Sequence, residues 1–340
     1  MRNIVKTLFY FIIFSALIYG SGEQQYSDLK DFTLETGKII KNCKLGYRTY
    51  GKLNEGKTNA VIFPTWFGGT SQNIGSFMGS GKLADSARYF VIAIDAFGNG
   101  ISSSPANSAE QDNESFPVFS IADMVKAEHK LVTEDLGIRH LYAAIGGSMG
   151  SMQVYQWLVT YPDFITKAVT YVPTPRVSSY ELMNWNIMLT MIENGHKCGM
   201  QEKDIMKPVN MLNILHSETP RAFVNEHPYE SFQEYLGTYN QERKTIFTSY
   251  NFASQLRAML SFNISKKFDN SLEKAALEIK AKVLVIVSLQ DHTIEPKQAL
   301  DFAKLIHAKV VTLNSELGHL AIGHELPVCS KAIAEFLDEQ

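Results

Sequence analysis

A serine near the middle of this 340-residue chain has the sequence neighbours of a nucleophile. An apolar run from Leu141 ends in Gly146-Gly-Ser148-Met-Gly150, and a helix-like pattern follows it. In such a strand-turn-helix the two glycines leave room for a tight turn, which lifts the serine hydroxyl above the end of a sheet. The motif predicts that Ser148 attacks an acyl group. It also predicts that the amide of Met149, at the helix start, faces the resulting oxyanion.

Two candidate partners for this serine lie late in the chain. Asp291 follows a buried apolar run, and His319 follows the last predicted strand. A serine hydroxyl needs a base to remove its proton and a third group to orient that base. Because serine, acid and then histidine is the chain order of α/β-hydrolases, we predict a triad of Ser148, His319 and Asp291 at the carboxyl ends of strands.

Other residues near strand ends are alternatives for these roles. His292 and His324 are alternative bases to His319, although each sits in a loop pattern. Asp95 ends its own strand and is an alternative acid, but it precedes the serine; Glu295 is a further alternative. The alternative to a working triad is a catalytically inactive protein of the same fold class that only binds a ligand.

A glycine-containing loop is the predicted second source of oxyanion contacts. The segment Trp66-Phe-Gly-Gly-Thr70 follows a predicted strand at 59–65. Glycines let a backbone approach a ligand closely, so we predict that the amide of Trp66 is the second donor. A plain surface loop is the alternative.

Strand and helix patterns alternate through most of the chain and predict an α/β fold. Near the start, Phe32–Gly37 and Leu45–Tyr50 are predicted as antiparallel strands around a turn at Lys41-Asn42. The later strand-helix alternation predicts a mostly parallel sheet flanked by helices, with right-handed crossovers. The later predicted strands are 59–65, 89–95, 141–145, 166–172, 281–288 and 309–313; the predicted helices are 120–136, 149–160, 296–307 and 326–336.

The alternation stops between residues 176 and 270, where long helical, methionine-rich stretches appear. We interpret this interval as a helical cap inserted between two parts of the core, at 23–175 and 271–340. Its methionines and aromatic residues either line an adaptable apolar pocket or form the core of the insertion.

The first 22 residues have the pattern of an export signal. Arg2 and Lys6 precede an apolar block at 8–19 and the small residues Gly20–Gly22. We predict cleavage near residue 22 and a periplasmic or secreted protein without a stable membrane span. An uncleaved anchor is the alternative, but the block is shorter than the ~20 residues that a spanning helix needs.

Composition excludes several other classes of protein. The net charge of -3 gives no indication of a nucleic-acid partner, and the 45% hydrophobic content is ample for a buried core. Cys43, Cys198 and Cys329 form an odd set, so at most one disulfide can form within the chain. No ligand spacing typical of a metal site is present, and we predict none.

Several segments together carry a family resemblance: Phe32-Thr-Leu-Glu-Thr-Gly37, Tyr47-Arg-Thr-Tyr-Gly-Lys-Leu-Asn54, Tyr89-Phe-Val91, Phe116-Pro-Val-Phe-Ser-Ile-Ala-Asp-Met-Val125 and Gly146-Gly-Ser-Met-Gly-Ser-Met-Gln153 with Tyr161-Pro162. They resemble the homoserine O-acetyltransferases, a branch of the α/β-hydrolases. The resemblance implies an acyl-Ser148 intermediate formed by ping-pong transfer, with His319 as base and Asp291 orienting it. It also implies acetyl-coenzyme A as a possible acyl donor, no bound cofactor, and a possible homodimer through the insertion.

The chain departs from that family where the acceptor would bind. No Tyr-Arg-Ser run is present in the insertion, and Arg176, Arg243 and Arg257 are the candidates for holding a substrate carboxylate. The predicted oxyanion loop reads Pro64-Thr-Trp-Phe-Gly-Gly69, where these transferases have a His-Ala-Leu-Thr-Gly type of run.

Export also argues against a cytoplasmic substrate such as homoserine. We therefore predict an exported esterase or acyltransferase that acts on a small ester or thioester, with water or a small alcohol as acceptor. Genuine homoserine O-acetylation in methionine biosynthesis is the first alternative, and a non-catalytic binding protein is the second.

Overall fold

A central β-sheet with helices on both faces organises the computed structural model, which describes residues 19–238 and 245–339. Within these ranges the sheet has nine strands. They are β1 (Tyr19–Ser21), β2 (Gln25–Thr33), β3 (Ile39–Lys52), β4 (Ala60–Pro64), β5 (Phe90–Ile94), β6 (Leu141–Gly147), β7 (Ile165–Tyr171), β8 (Lys282–Ser288) and β9 (Lys309–Leu313).

Six neighbouring strands of the sheet, β4 to β9, are parallel to one another, whereas the edge that contains β1, β2 and β3 is antiparallel. Its order is β1-β3-β5-β4-β6-β7-β8-β9, with β2 paired to β3. All pairs from β5–β4 to β8–β9 are parallel, whereas β1, β2 and β5 run antiparallel to β3. Every residue of β4 and β5 is buried, as expected when helices cover both faces of a parallel sheet. The predicted α/β sheet is confirmed.

The helices of the described ranges fall into core helices and a group between β7 and β8. They are α1 (Ser71–Gly75), α2 (Ile121–Lys130), α3 (Met149–Thr160), α4 (Ser179–Lys197), α5 (Glu202–Ser217), α6 (Pro220–Glu226), α7 (Phe232–Thr238), α8 (Ser249–Leu260), α9 (Leu272–Glu278), α10 (Pro296–Leu305), α11 (Ala321–His324) and α12 (Leu326–Asp338). A π-helical segment at Leu131–Asp135 extends α2, and short 3₁₀ helices lie at Asn113–Ser115, Lys266–Phe268 and Gly318–Leu320.

The N-terminal hairpin differs from its prediction. Lys41 and Asn42 lie inside β3, and the chain turns instead around Gly37, whose φ is +80°. Leu34 and Lys38 are joined by a backbone hydrogen bond of 2.8 Å across this turn. Asn42 has a positive φ of 47° next to a register irregularity in the β2–β3 pair, so a residue type that favours turns marks a bulge here.

The helical interval is inserted at a narrow neck. Arg176 and Asn263 form an isolated antiparallel bridge, and the amide of Ile264 donates to the carbonyl of Pro175 at 3.2 Å. The chain therefore leaves the core and returns to it at one point, with α4–α8 between. Helix α9, which follows the return, was not predicted from the sequence.

The predicted signal lies mostly outside the described residues, since 1–18 are not among them. Tyr19–Ser21 form β1 against β3, so cleavage near residue 22 would remove this edge strand. In the ranges that the structure covers, no helix has both the length and the apolar character needed to cross a bilayer. Cys43, Cys198 and Cys329 are free thiols; Cys198 is exposed and the other two are buried.

A buried carboxyl on α2 gives a pH-dependent stability. Burial raises the pKa of Glu128 to about 8, although the indole N–H of Trp157 donates to its Oε2 at 2.6 Å. The native state then holds a proton that the unfolded chain releases near its ordinary pKa, so stability falls as pH rises from ~4.5 to ~8. We expect wild type to lose roughly 1 kcal/mol per pH unit relative to Glu128→Gln in urea unfolding across this window. Parallel pH profiles for the two proteins would contradict this.

Candidate active site

The turn between β6 and α3 holds Ser148 in a strained conformation, with φ 52° and ψ -124°. The flanking glycines are required by close backbone contacts. A Cβ on Gly146 would lie 2.4 Å from the carbonyl oxygen of Gly150, and a Cβ on Gly150 would lie 2.7 Å from that of Pro64. The Gly-x-Ser-x-Gly spacing is therefore a steric requirement of this turn.

Tyr171, at the end of β7, also shapes the turn and was missed by sequence reasoning. Its carbonyl accepts the Ser148 amide at 3.0 Å. Its ring lies over Gly147, where a Cβ would come within 1.7 Å of it. Both contacts depend on the parallel pairing of β6 with β7, and no local sequence signal identifies them.

A continuous chain of hydrogen bonds joins Ser148, His319 and Asp291. The Oγ of Ser148 lies 2.9 Å from Nε2 of His319, and Nδ1 of the same ring lies 2.7 Å from Oδ2 of Asp291. The His319 side chain is 13% exposed and that of Asp291 is 2% exposed. Both ring nitrogens are thus engaged, one with a hydroxyl that can lose a proton and the other with a carboxylate that orients the ring.

The second oxygen of Asp291 is fixed by its own loop. Oδ1 accepts the amides of Thr293 at 2.8 Å and Ile294 at 2.9 Å. These two donors hold the carboxylate plane, so Oδ2 remains directed at His319. The loop follows β8 and leads into α10.

The alternative residues are placed elsewhere. Asp95 is buried below the loop at 65–70, where it accepts the amide and hydroxyl of Ser71, each at 2.7 Å. Glu295 caps α10 by accepting the amide of Lys297 at 3.0 Å. His319, and not His292 or His324, is the histidine that the structure joins to Ser148.

The predicted oxyanion loop packs on the helix that follows the nucleophile. The side-chain amide of Gln153 on α3 donates to the carbonyl of Thr65 at 2.9 Å. The amide of Gly68 donates to Oε1 of Gln255 on α8 at 2.9 Å. Trp66 lies in the chain between Thr65 and Gly68, the two residues held by these hydrogen bonds. Met149 occupies the first position of α3, where a helix amide has no intrahelical acceptor.

A cavity of about 350 Å³ opens above Ser148 between the sheet and the helical insertion. Its described lining is aromatic, aliphatic or neutral polar, apart from the His319 imidazole. The lining residues are Trp66, Phe67, Phe77, Gly147, Ser148, Tyr171, Val172, Trp185, Met188, Asn213, Ser217, Phe252, Leu256, Met259, Thr293, His319, Leu320, Ile322 and Gly323. Two of the insertion's methionines, Met188 and Met259, and its single tryptophan, Trp185, therefore face the cavity.

The candidate arginines are not among the described residues that line this cavity. Arg257 pairs with Glu193 of α4 at 2.8 Å. Arg176 lies at the neck of the insertion, bridged to Asn263. Arg243 lies outside the described residues.

The insertion is attached to the loop that carries Asp291. Buried Glu181, in the first turn of α4, accepts the amides of Ser178 and Glu295, the latter at 2.8 Å. Burial raises the pKa of Glu181. On α5, the carbonyl of His216 accepts the hydroxyl of Thr293 at 2.8 Å. These contacts fix α4 and α5, which cover the cavity, relative to the loop that carries Asp291. Sequence reasoning did not find them.

Residues 60–195 match the model of the alpha/beta hydrolase fold family. A homoserine O-acetyltransferase of Methanosphaera stadtmanae is 30% identical over 369 aligned positions, covering 94% of this chain and 74% of that protein. The chain belongs to the homoserine O-acetyltransferase-like family of the α/β-hydrolase superfamily. The resemblance found in the sequence and the predicted fold are both confirmed.

Esterases are also among the similar members of this family. An ethyl acetate hydrolase of Pseudomonas veronii is 29% identical over 303 residues, covering 85% of this chain and 87% of that protein. A probable esterase of Corynebacterium glutamicum is 37% identical over 165 residues, and that match spans about half of either protein, 48% of this chain and 47% of the relative.

The solved structure of an acetylester hydrolase from Corynebacterium glutamicum superimposes with a TM-score of 0.85 at 25% identity, covering 94% of this chain and 97% of that one. With the relatives, it establishes the chain as an α/β-hydrolase-class enzyme, a serine hydrolase or acyltransferase.

Proposed function

We propose that this protein is an exported serine esterase that hydrolyses small neutral esters, acetyl esters among them, with water as the acceptor. The observation that carries the proposal is the uncharged lining of the described part of the cavity above Ser148, apart from the imidazole of His319. Homoserine carries a carboxylate and an ammonium group, and burying either without a partner of opposite charge is costly. A small neutral ester needs neither partner, and a cavity of about 350 Å³ suits its size.

The proposed reaction uses the hydrogen-bonded chain at Ser148. The Oγ attacks the ester carbonyl while Nε2 of His319 takes the hydroxyl proton, and Asp291 stabilises the imidazolium that forms. The amides of Trp66 and Met149 donate to the oxyanion. Collapse of the tetrahedral intermediate expels the alcohol, which receives the proton from His319 and leaves acyl-Ser148. The same ring then deprotonates a water molecule, which attacks the acyl carbon. The bond to Oγ breaks, the acid is released, and His319 returns the proton to Ser148.

Homoserine O-acetylation is the second candidate, and the 30% identity to a named homoserine O-acetyltransferase favours it. A variant of the first candidate is an exported acyltransferase, which transfers the acyl group to a small alcohol instead of water. The homodimer through the insertion, implied by the family resemblance, stays a prediction.

Thiol release from acetyl-coenzyme A separates the two candidates. We expect the mature protein to hydrolyse p-nitrophenyl acetate and ethyl acetate, with no increase in thiol release when homoserine is added. The Ser148→Ala variant supplies the background rate in each assay. Homoserine-dependent thiol release above that background would contradict the proposal. Protein recovered from the periplasm or medium should begin near residue 23. Recovery from the cytoplasm alone would contradict export, and an intact Met1 on exported protein would contradict cleavage.

A further inference from the structure

Three side chains of metal-ligand type converge outside the cavity, at the corner between α5 and α6. Glu218 directly follows α5, Glu226 ends α6, and His227 comes next in the chain. One ligand atom from each, two carboxylate oxygens and a ring nitrogen, lie within 4.8 Å of one another. Zinc is bound at ~2.0–2.2 Å, so the three side chains would have to rotate closer together to share one ion.

The buried carboxylate of Glu218 independently points to a cation at this corner. Glu218 is 3% exposed, and its Oε2 is buried without a hydrogen-bond partner in the described part of the chain. Because such an oxygen has lost its water, leaving it unpaired is costly, and buried polar groups in proteins are almost always satisfied. A metal ion would supply the missing partner.

The histidine of the cluster is held in place by aromatic neighbours. The ring of His227 stacks on that of Tyr235, with centroids 3.7 Å apart, and contacts the Phe223 ring at 4.7 Å. A ring fixed in this way loses little further freedom when it binds an ion. The carboxylates of Glu218 and Glu226 also lie close enough to repel each other when both are charged. A bound cation would remove the repulsion between the two carboxylates.

We propose that Glu218, Glu226 and His227 bind a divalent transition-metal ion, for which Zn²⁺ is the best match. Zinc accepts mixed nitrogen and oxygen ligands and commonly takes three from the protein and one from water. Sequence patterns do not find this set, because seven residues separate the two glutamates and no cysteine pair or paired histidines mark it.

The position of the cluster suggests a structural role next to the catalytic loop. The amide of Thr219 donates to the carbonyl of Glu316 at 3.0 Å, and Arg221 pairs with the Glu316 carboxylate at 2.7 Å. Gly318 is so close to this corner that a Cβ there would lie 3.3 Å from the Cα of Glu218. A bound ion would thus stabilise the packing of the α5–α6 corner on the loop that carries His319. Its binding does not depend on the reaction at Ser148.

Zinc binding and thermal stability test the site together. Untagged wild-type protein, freed of metal with a chelator, is titrated with Zn²⁺ against a chromophoric competitor, and its Tm is measured with and without zinc. We expect one high-affinity equivalent per chain and a higher Tm, because an ion that binds only the native state stabilises it. Glu226→Gln and His227→Asn should each weaken binding at least about 10-fold. Both residues are more exposed than Glu218, and Glu230→Gln, at an exposed glutamate three residues after His227, is the matched control.

X-ray absorption of the zinc-loaded protein identifies the ligands. Nitrogen and oxygen neighbours at ~2.0–2.2 Å with imidazole scattering support the assignment, whereas a sulfur neighbour at ~2.3 Å would place the ion on a cysteine such as exposed Cys198 and overturn it. Zinc affinity that is equal in wild type, Glu226→Gln and His227→Asn would also overturn the proposal. So would the absence of any high-affinity equivalent in folded wild-type protein.

Discussion

Replacing Ser148 with alanine lowers kcat for p-nitrophenyl acetate by about 10⁴-fold or more, because no acyl-enzyme can form without the hydroxyl. The substitution removes one oxygen that lies 2.9 Å from Nε2 of His319. The turn itself is kept by Gly146, Gly150 and the hydrogen bond from the residue-148 amide to Tyr171. We therefore expect the Tm to remain close to that of wild type.

A fluorophosphonate probe distinguishes loss of the nucleophile from other defects. Wild type should be labelled at Ser148, and Ser148→Ala should not be labelled. Ser261→Ala, at the exposed end of α8, is the matched control for loss of a serine hydroxyl and should keep both activity and labelling. Unchanged turnover in Ser148→Ala would refute the nucleophile assignment. A folded wild type that neither turns over the ester nor takes the probe would favour the binding-protein alternative.

The meeting of Ser148, Asp291 and His319 could be anticipated from sequence because each follows a strand. Once strands are parallel, their carboxyl ends share one edge of the sheet, and the residues after them are brought together. The apolar runs that became β6, β8 and β9 gave these positions, and the Gly-x-Ser-x-Gly spacing gave the turn.

Features that depend on contacts between distant segments were not predictable in the same way. Glu181 resembles an ordinary residue in the first turn of a helix, yet it is buried against the amide of Glu295, 114 positions away in the chain. The hairpin turn was misplaced because Asn42 has a positive φ inside β3, a conformation that a single sequence does not distinguish from a turn.

Replacing Asp291 with asparagine should lower kcat by about 10⁴-fold, although the two side chains have nearly the same shape. The amides of Thr293 and Ile294 both donate to Oδ1, so an asparagine at this position would keep its carbonyl oxygen there. Its NH₂ group would then face Nδ1 of His319. Because NH₂ can only donate, it would favour the tautomer with the proton on Nε2, which cannot accept the proton of Ser148.

We expect the loss in Asp291→Asn to appear in kcat, with little change in KM or Tm, since the cavity lining and the loop hydrogen bonds are kept. Glu295→Gln is the matched control, because this neighbouring carboxylate caps α10 and was the alternative acid. Its kcat should remain within about 3-fold of wild type, which is under 1 kcal/mol in activation free energy. Activity retained in Asp291→Asn but lost in Glu295→Gln would transfer the role of the acid to Glu295. An equal and large loss in both would show that the shape of the 291–295 loop, and not the charge on Asp291, controls the rate.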